Sequence, residues 1–482
     1  MKVVPLDDSF ESSPRLTSRL LGTSIVSSLA GGFHFGYLIS AVNPLSDILE
    51  QFIVDKIRIR YSFILSSSQL SILWSSLAGC LFIGAMVGSY LSVHLLSRIG
   101  PRKTLLTAAT ILLFSTPVFG FAYSLNLVEL LPISRILSGI GLAIGISAQG
   151  VFITEISPVF LAKYRGMTNS LSGLIGNIAF VLAASLGTPY LLGTVSLWKY
   201  MFFIETIPCI AHVILNISMF HDSPKYLLSI GKSIEAERSL YTYYGKSCQV
   251  KMVLEDLRSE TATENKTLRE VLKDKAASRA LSLSVAINFS VAFSGIAAIS
   301  FFGTFLLQNV GFSPEGSAVA NSLCSSSSIL SALLAAIAID KIGRRPLLIS
   351  SLLILALINI LMMSLVFLYD STKDPLLAWP FLGLFVLFTF VFSIGIGPAA
   401  VFIGAELATP GTISKMQSYS TSVQFIGSFI SPVIYLSLVE TVGGLAFLLF
   451  IVPLAVTATY IFMYLPETKG KTPVEIHDLL RK

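Results

Sequence analysis

Twelve stretches of this chain are each long and apolar enough to cross a lipid bilayer as a helix, and that succession constrains the fold more than any other feature. A spanning helix needs about 20 mainly apolar residues at 1.5 Å rise each. Spans 1 to 6 are expected at about Leu20–Val42, Leu70–Leu96, Leu105–Tyr123, Leu127–Phe152, Met167–Leu192 and Trp198–Phe220. Spans 7 to 12 are expected at about Leu281–Val310, Ala318–Ile339, Leu347–Leu368, Trp379–Leu407, Gln417–Leu438 and Gly444–Tyr464. The implied fold class is an all-α integral membrane protein of twelve transmembrane helices in two six-helix halves. The expected organisation is an N-terminal segment (1–19), a first bundle (20–220), a polar linker with short amphipathic helices (221–278), a second bundle (279–465) and a tail (466–482). Only 12% of the 482 residues are charged, against about 25% in soluble domains. This excludes an ordinary soluble enzyme, and little chain is left over for a large extramembrane catalytic domain.

The placement of charge sets a topology. Of 33 Lys and Arg residues, all but Lys56, Arg58, Arg60, Arg135, Lys199 and Lys373 lie at the termini or in alternate loops. Short loops rich in Lys and Arg stay in the cytoplasm, so both termini are expected there. Topology therefore accounts for the net charge of +6, and no nucleic-acid partner is implied. Asp7, Asp8 and Glu11 do not form a basic signal-peptide start, so span 1 is read as a retained helix. Cys80, Cys209 and Cys324 fall in spans and Cys248 in the linker, with no metal or disulfide spacing. The sequons at Asn216, Asn265 and Asn288 lie in spans or the linker, where no glycosylation is expected. No catalytic triad, metal cluster or phosphate-binding loop stands out, and no catalytic residue, cofactor or metal is expected.

The two halves repeat one another. Ser97-Arg98-Ile99-Gly100-Pro101-Arg102-Lys103 between spans 2 and 3 answers Asp340-Lys341-Ile342-Gly343-Arg344-Arg345 between spans 8 and 9. Glu155-Ile156-Ser157-Pro158 after span 4 answers Gly404-Ala405-Glu406-Leu407 at the end of span 10. Matching elements in two halves point to a duplicated transporter fold. Further markers are Gly31-Gly32-Phe33-His34-Phe35-Gly36-Tyr37, Gly84 to Ser89, Arg135 to Gly139 and Trp198-Lys199-Tyr200-Met201-Phe202 before Glu205 and Pro208. Asp222-Ser223-Pro224-Lys225-Tyr226-Leu227-Leu228 opens the linker and Pro466-Glu467-Thr468-Lys469-Gly470 follows span 12. In this order, from about Gly31 to Thr472, the chain resembles the major facilitator superfamily and within it the sugar porters, which include the facilitative glucose transporters.

The resemblance implies a cytoplasmic gate of Arg98, Arg102 and Arg165 with Glu155, and of Arg344 and Arg345 with Asp340 and Glu406. The bland alternative is positive-inside anchoring by snorkelling side chains. Arg135 and Glu205 lie at similar depth inside the membrane, where a charge is costly, and are expected to pair. Proton-coupled sugar porters carry an aspartate directly after Phe-Gly-Tyr; here that position is Leu38, which cannot titrate. His34, one turn earlier, is read as a packed histidine. A uniporter is expected.

The sugar contacts implied by the resemblance are mostly replaced. By alignment they fall on Gly173, Val291, Ala292, Ala297, Ser328, Ser393, Val401 and Phe425. Polar candidates for the cavity are Ser172, Asn177, Asn288, Ser294, Ser328, Ser393 and Gln424; the amides are preferred because an amide facing lipid is costly. Gly395, Gly397 and Pro398 are expected to form a hinge in span 10, with a flexible point at Ser294-Gly295-Ile296 in span 7. The reading is a facilitative carrier for a hexose or similar small polar solute, such as a monosaccharide, working as a monomer in the plasma membrane or an internal one. The alternatives are a carrier of a non-sugar organic solute and a non-transporting solute sensor.

Overall fold

The computed structural model describes residues 18–157, 162–244, 254–255, 257, 268–408, 412–469, 471 and 473–481. The described residues are helices, turns and loops, with no strand among them. Span 1 is two helices, Ser18–Ser28 and Gly32–Ser40, followed by the short turn Asn43–Leu45 and a further helix, Ser46–Tyr61. A continuous helical path then runs over Ser67–Leu125, which as one straight rod would be about 88 Å long. It reverses at Gly100, whose φ of 78° and ψ of 166° form a backbone state open essentially to glycine alone. Spans 2 and 3 are therefore the two arms of this path. Pro101 sits where the second arm begins, a position at which its missing N–H costs no helical bond. Ser66 and Gln69 close the start of span 2 with reciprocal bonds of 3.3 and 3.0 Å, and left-handed Asn126 ends span 3.

Span 4 is Leu130–Ile156, span 5 Ala162–Leu186, and span 6 the pair Lys199–Ile204 and Thr206–Met219. Span 5 stops short of the expected Leu192 because Gly187 and Pro189 follow it closely. In the second half, span 7 is Lys275–Ala292 and Ile296–Gln308, span 8 Pro314–Ile342 and span 9 Arg344–Thr372. Span 10 is Ala378–Ile394 and Ile396–Leu407, span 11 Ile413–Val442 and span 12 Leu448–Tyr464. The repeat seen in sequence has one geometry: Gly343 turns the chain between spans 8 and 9 with φ 96° and ψ 162°, close to the values at Gly100.

Helices in lipid gain little from apolar burial against one another, so close backbone approach through small residues carries the packing. A Cβ on Gly36 of span 1 would overlap the carbonyl oxygen of Gly176 in span 5. A Cβ on Gly84 would overlap the Ile136 carbonyl, and one on Gly139 the Leu81 carbonyl, so spans 2 and 4 touch along their backbones. The linker forms short helices at Pro224–Ser229, Ser233–Tyr244 and Leu268–Lys273. The tail was expected only as an extension; instead Pro473–Arg481 is a helix that buries Ile476 and Leu480. Arg279 donates to the Leu480 carbonyl at 2.9 Å and His477 Nε2 lies 3.3 Å from Asp274 Oδ2, fixing this helix to the start of span 7.

Candidate functional site

Among the described residues, the two halves are joined by hydrogen bonds at the end opposite the basic loops. There Asn43 inserts into span 7: its Oδ1 accepts from the Thr304 backbone N–H at 3.1 Å and the Thr304 hydroxyl at 2.9 Å. Asn43 Nδ2 reaches the Ile299 carbonyl at 3.4 Å. The hydroxyls of Ser185 in span 5 and Ser322 in span 8 are 2.8 Å apart, and Ser71 in span 2 donates to Glu440 at the end of span 11. Deeper in, Phe82 stacks on Phe425 with ring centres 6.0 Å apart and lies 5.8 Å from Phe301. Phe425 is the position at which the resemblance implies a tryptophan; here its ring joins an aromatic bridge between the halves.

A second polar group lies wholly inside the first half. His34 and Glu205 are fully buried, and His34 Nδ1 donates to Glu205 Oε1 at 3.0 Å. The Cys209 sulfur lies 3.3 Å from His34 Nε2, so the ring is held on both sides. The expected Arg135–Glu205 ion pair is thereby corrected. Arg135 is buried, but its guanidinium donates to the Leu38 carbonyl at 2.7 Å and the Ala78 carbonyl at 3.0 Å, tying span 4 to spans 1 and 2. Glu205 Oε2 and Arg135 Nε have no hydrogen-bond partner. Two backbone carbonyls at short range occupy the two terminal nitrogens of the guanidinium, so its hydrogen bonds go to the main chain and not to the carboxylate.

Sequence reasoning missed Gln149. Its Oε1 accepts from the Gly32 N–H at 2.8 Å while Nε2 donates to Ser28 at 2.8 Å and Ser172 at 2.6 Å, so one amide joins spans 1, 4 and 5. The rule that favoured Asn177, Asn288 and Gln424 applies equally to Gln149, Asn216 and Asn359, and would have found them.

The expected cavity residues divide into two sets. Asn177 donates to the Gly173 carbonyl of its own helix at 2.9 Å, and Ser328 to the Ser325 carbonyl at 2.6 Å. Asn288 donates to Ser284 O at 2.9 Å and across to Ala400 O at 3.4 Å, and Ser294 Oγ accepts from the Ile296 N–H at 3.2 Å. Ser172 is held by Gln149. Ser393 and Gln424 are half-buried, and the structure describes no hydrogen bond for either side chain. Span 10 breaks at Gly395, with φ −97° and ψ −102°, against the Ser351 side chain; Gly397 and Pro398 lie in the turn that follows. Span 7 breaks at Gly295, whose φ is 101°. Both expected weak points are thus interruptions of the helix.

At the basic end, the contacts described lie within one half each. Arg344 Nε is 3.3 Å from Glu406 Oε1, and Thr468 donates to Glu406 Oε2 at 2.7 Å. Arg345 donates to the Phe462 carbonyl at 2.7 Å. Arg102 reaches Asn216 Oδ1 at 3.4 Å and its carbonyl at 3.2 Å, and Ser223 donates to Glu155. Arg98 does not pair with Glu155 as expected: its side chain has no ion-pair partner among the described residues. The side chains of Arg165 and Asp340 lie outside the described residues.

Glu467, absent from the expected gate, closes the N-terminus of span 9. It accepts from the backbone N–H groups of Arg344 at 3.0 Å, Arg345 at 3.1 Å and Lys469 at 2.9 Å. Partial burial raises its pKa, but the backbone donors of Lys469, Arg344 and Arg345 outweigh it and hold the carboxyl below its ordinary value. E467A is expected to shorten the half-life of the detergent-solubilised protein, with a stability loss of about 1 kcal/mol, as for a lost helix cap. The contribution is fully present above the unfolded carboxyl pKa of about 4.3 and is lost as pH falls through the lower folded value. The wild-type advantage over E467A should therefore shrink on acidification below that range. An advantage independent of pH would show that the carboxylate charge is not what matters.

Among the described residues no group of three His, Cys, Asp or Glu side chains is placed to hold a metal ion. A family profile described as "Sugar (and other) transporter" matches residues 23–480. The chain is 25% identical to the facilitated glucose transporter member 7 of solute carrier family 2 from Mus musculus, over 98% of this chain and 92% of that protein. It is 26% identical to a protein of Saccharomyces cerevisiae named as a "Probable metabolite transport protein", over 98% of this chain and 97% of that one. Among solved structures, the inward-open xylose transporter of E. coli superposes with a TM-score of 0.78 at 20% identity, covering 95% of this chain and 99% of that one.

Proposed function

Because the chain belongs to the sugar (and other) transporter family and has the all-helical fold of a solved xylose transporter, we propose that it is a facilitative carrier of a hexose or similar small polar solute, working as a uniporter. The observation that carries this reading is a hydrogen-bonded clasp between the two halves at one end of the molecule. They are hydrogen-bonded to one another through Asn43, Thr304, Ser185 and Ser322 at the end away from the basic loops. Two bundles clasped at one end, with helix breaks in spans 7 and 10, suit rocking about a central site. Spans 7 and 10 then supply the parts that move locally, at Gly295 and Gly395. The basic end is assigned to the cytoplasm by the charge bias, which puts both termini inside; the membrane is proposed to be the plasma membrane, and the monomer the working unit.

Leu38 supports uniport, since the span 1 carboxylate of proton-coupled relatives is missing there. The mouse relative is named as a facilitated glucose transporter, which favours a hexose. A second reading, transport of another organic solute, is supported by the commitment of Asn177, Asn288, Ser294 and Ser328 to backbone groups. A hexose presents many donors and acceptors, and a site left with few free partners holds it weakly. Counterflow of labelled glucose and fructose in proteoliposomes decides between them. Saturable exchange at equal pH on both sides supports the hexose uniporter. Exchange of other solutes only supports the second reading, binding without flux would indicate a sensor, and accumulation driven by a pH gradient alone would overturn uniport.

A further inference from the structure

The outer surface of the first half carries a groove that the transport reading does not use. It has a volume of about 410 Å³ and runs along span 2, over Ile111 of span 3 and Ile144 of span 4. Tyr90, His94 and Arg98 recur at intervals of four residues, so they form one stripe along span 2, about 12 Å from the first to the last. Tyr90 is 66% and Leu91 40% exposed, which means that the groove opens sideways to the bilayer and not into the interface between the halves. Its walls are apolar over most of their length, and its two basic groups sit together at the end nearest the charged loops. His94 Nδ1 lies 3.4 Å from the Tyr90 carbonyl, so its ring N–H is turned to its own helix and the anion-binding group of the groove is Arg98. The Arg98 guanidinium has no ion-pair partner among the described residues, although the neighbouring Arg102 is occupied by Asn216 and the Ile217 carbonyl.

We propose that this groove holds one anionic glycerophospholipid, with an acyl chain along Tyr90, Leu91 and Ile111 and its phosphate on Arg98. A lipid tail is as apolar as the groove wall, so tail contact fills the groove without choosing the lipid. The choice falls to the headgroup, where a planar guanidinium at the membrane surface suits a phosphate and a basic pocket between helices favours negative charge. The assignment of this end to the cytoplasm affects only which leaflet supplies the lipid. The site therefore stands or falls independently of the solute carried.

The test uses the purified full chain, equilibrated with equal amounts of phosphatidylglycerol and phosphatidylcholine and examined by native mass spectrometry for retained lipid. The expected result is one phosphatidylglycerol retained in preference to phosphatidylcholine. R98Q should lower that preference about fivefold, the effect of one basic group near the surface, and R98K should keep most of it. K103Q removes a neighbouring exposed charge that does not line the groove and should leave the preference unchanged. L91W, which fills the groove from the lipid side, should reduce retention of both lipids and serves if R98Q fails to fold. Equal losses in R98Q and K103Q would show diffuse surface attraction instead of a site. Absence of any preference in the wild-type chain, or full retention in L91W, would overturn the proposal.

Discussion

Replacing Gly36 with leucine is expected to abolish transport and to leave little folded protein. The reason is local and geometric. The Cβ of any residue at this position would occupy the space of the Gly176 carbonyl oxygen, and Gly32, one turn earlier, already lies against the Ser172 backbone. Both obstacles are main-chain atoms of a neighbouring span, so neither can swing aside as a side chain could. Overpacking in ordinary cores costs about 1–3 kcal/mol, and an overlap of two helix backbones exceeds that range. Against a total stability of about 5–15 kcal/mol this is a large fraction. Even G36A should fail, whereas G150A in span 4 should behave as wild type, because nothing lies within 4 Å of the added atom. Yield of monodisperse protein and counterflow activity measure the effect. Normal yield and flux in G36A would mean that spans 1 and 5 are further apart than described.

Removing the partner of the buried carboxylate should be nearly as damaging. In H34L, Glu205 loses its 3.0 Å bond while staying out of water, and its second oxygen already lacks a partner. Breaking a buried pair from one side costs about 3–5 kcal/mol. Replacing both members with apolar residues removes the stranded group, so H34L/E205L should recover much of what H34L loses. The coupling is read from half-lives of the four proteins in detergent at a fixed temperature, since large membrane proteins unfold irreversibly. Additive losses would show that the two side chains act independently.

Much of the architecture was legible in the sequence, because bilayer crossing leaves a coarse signal: long apolar runs, basic alternate loops and a repeated Ile-Gly turn. The turn is the clearest case. Gly100 and Gly343 were found as a repeat and share one strained conformation. The site was less legible because it depends on which polar atom reaches which across spans distant in sequence. The sequence matches Arg135 and Glu205 by depth alone, and depth says nothing of azimuth around the helix. Glu205 faces His34 of span 1, and Arg135 finds carbonyls nearer to hand. Glu467 was noticed as part of a motif, yet its role as a helix cap follows only once span 9 begins beside it. Asn43 and Thr304 are separated by 261 positions, a pairing that no local pattern announces.

That same asparagine has a thermodynamic corollary. In a carrier that alternates as proposed, a solute on the sealed side meets only those molecules in which the Asn43–Thr304 bonds are broken. Apparent affinity from that side is scaled down by the fraction so opened, while affinity from the other side is not. Each 1.4 kcal/mol stored in this clasp separates the two half-saturation concentrations by a further factor of about ten, with the solute pocket itself unchanged.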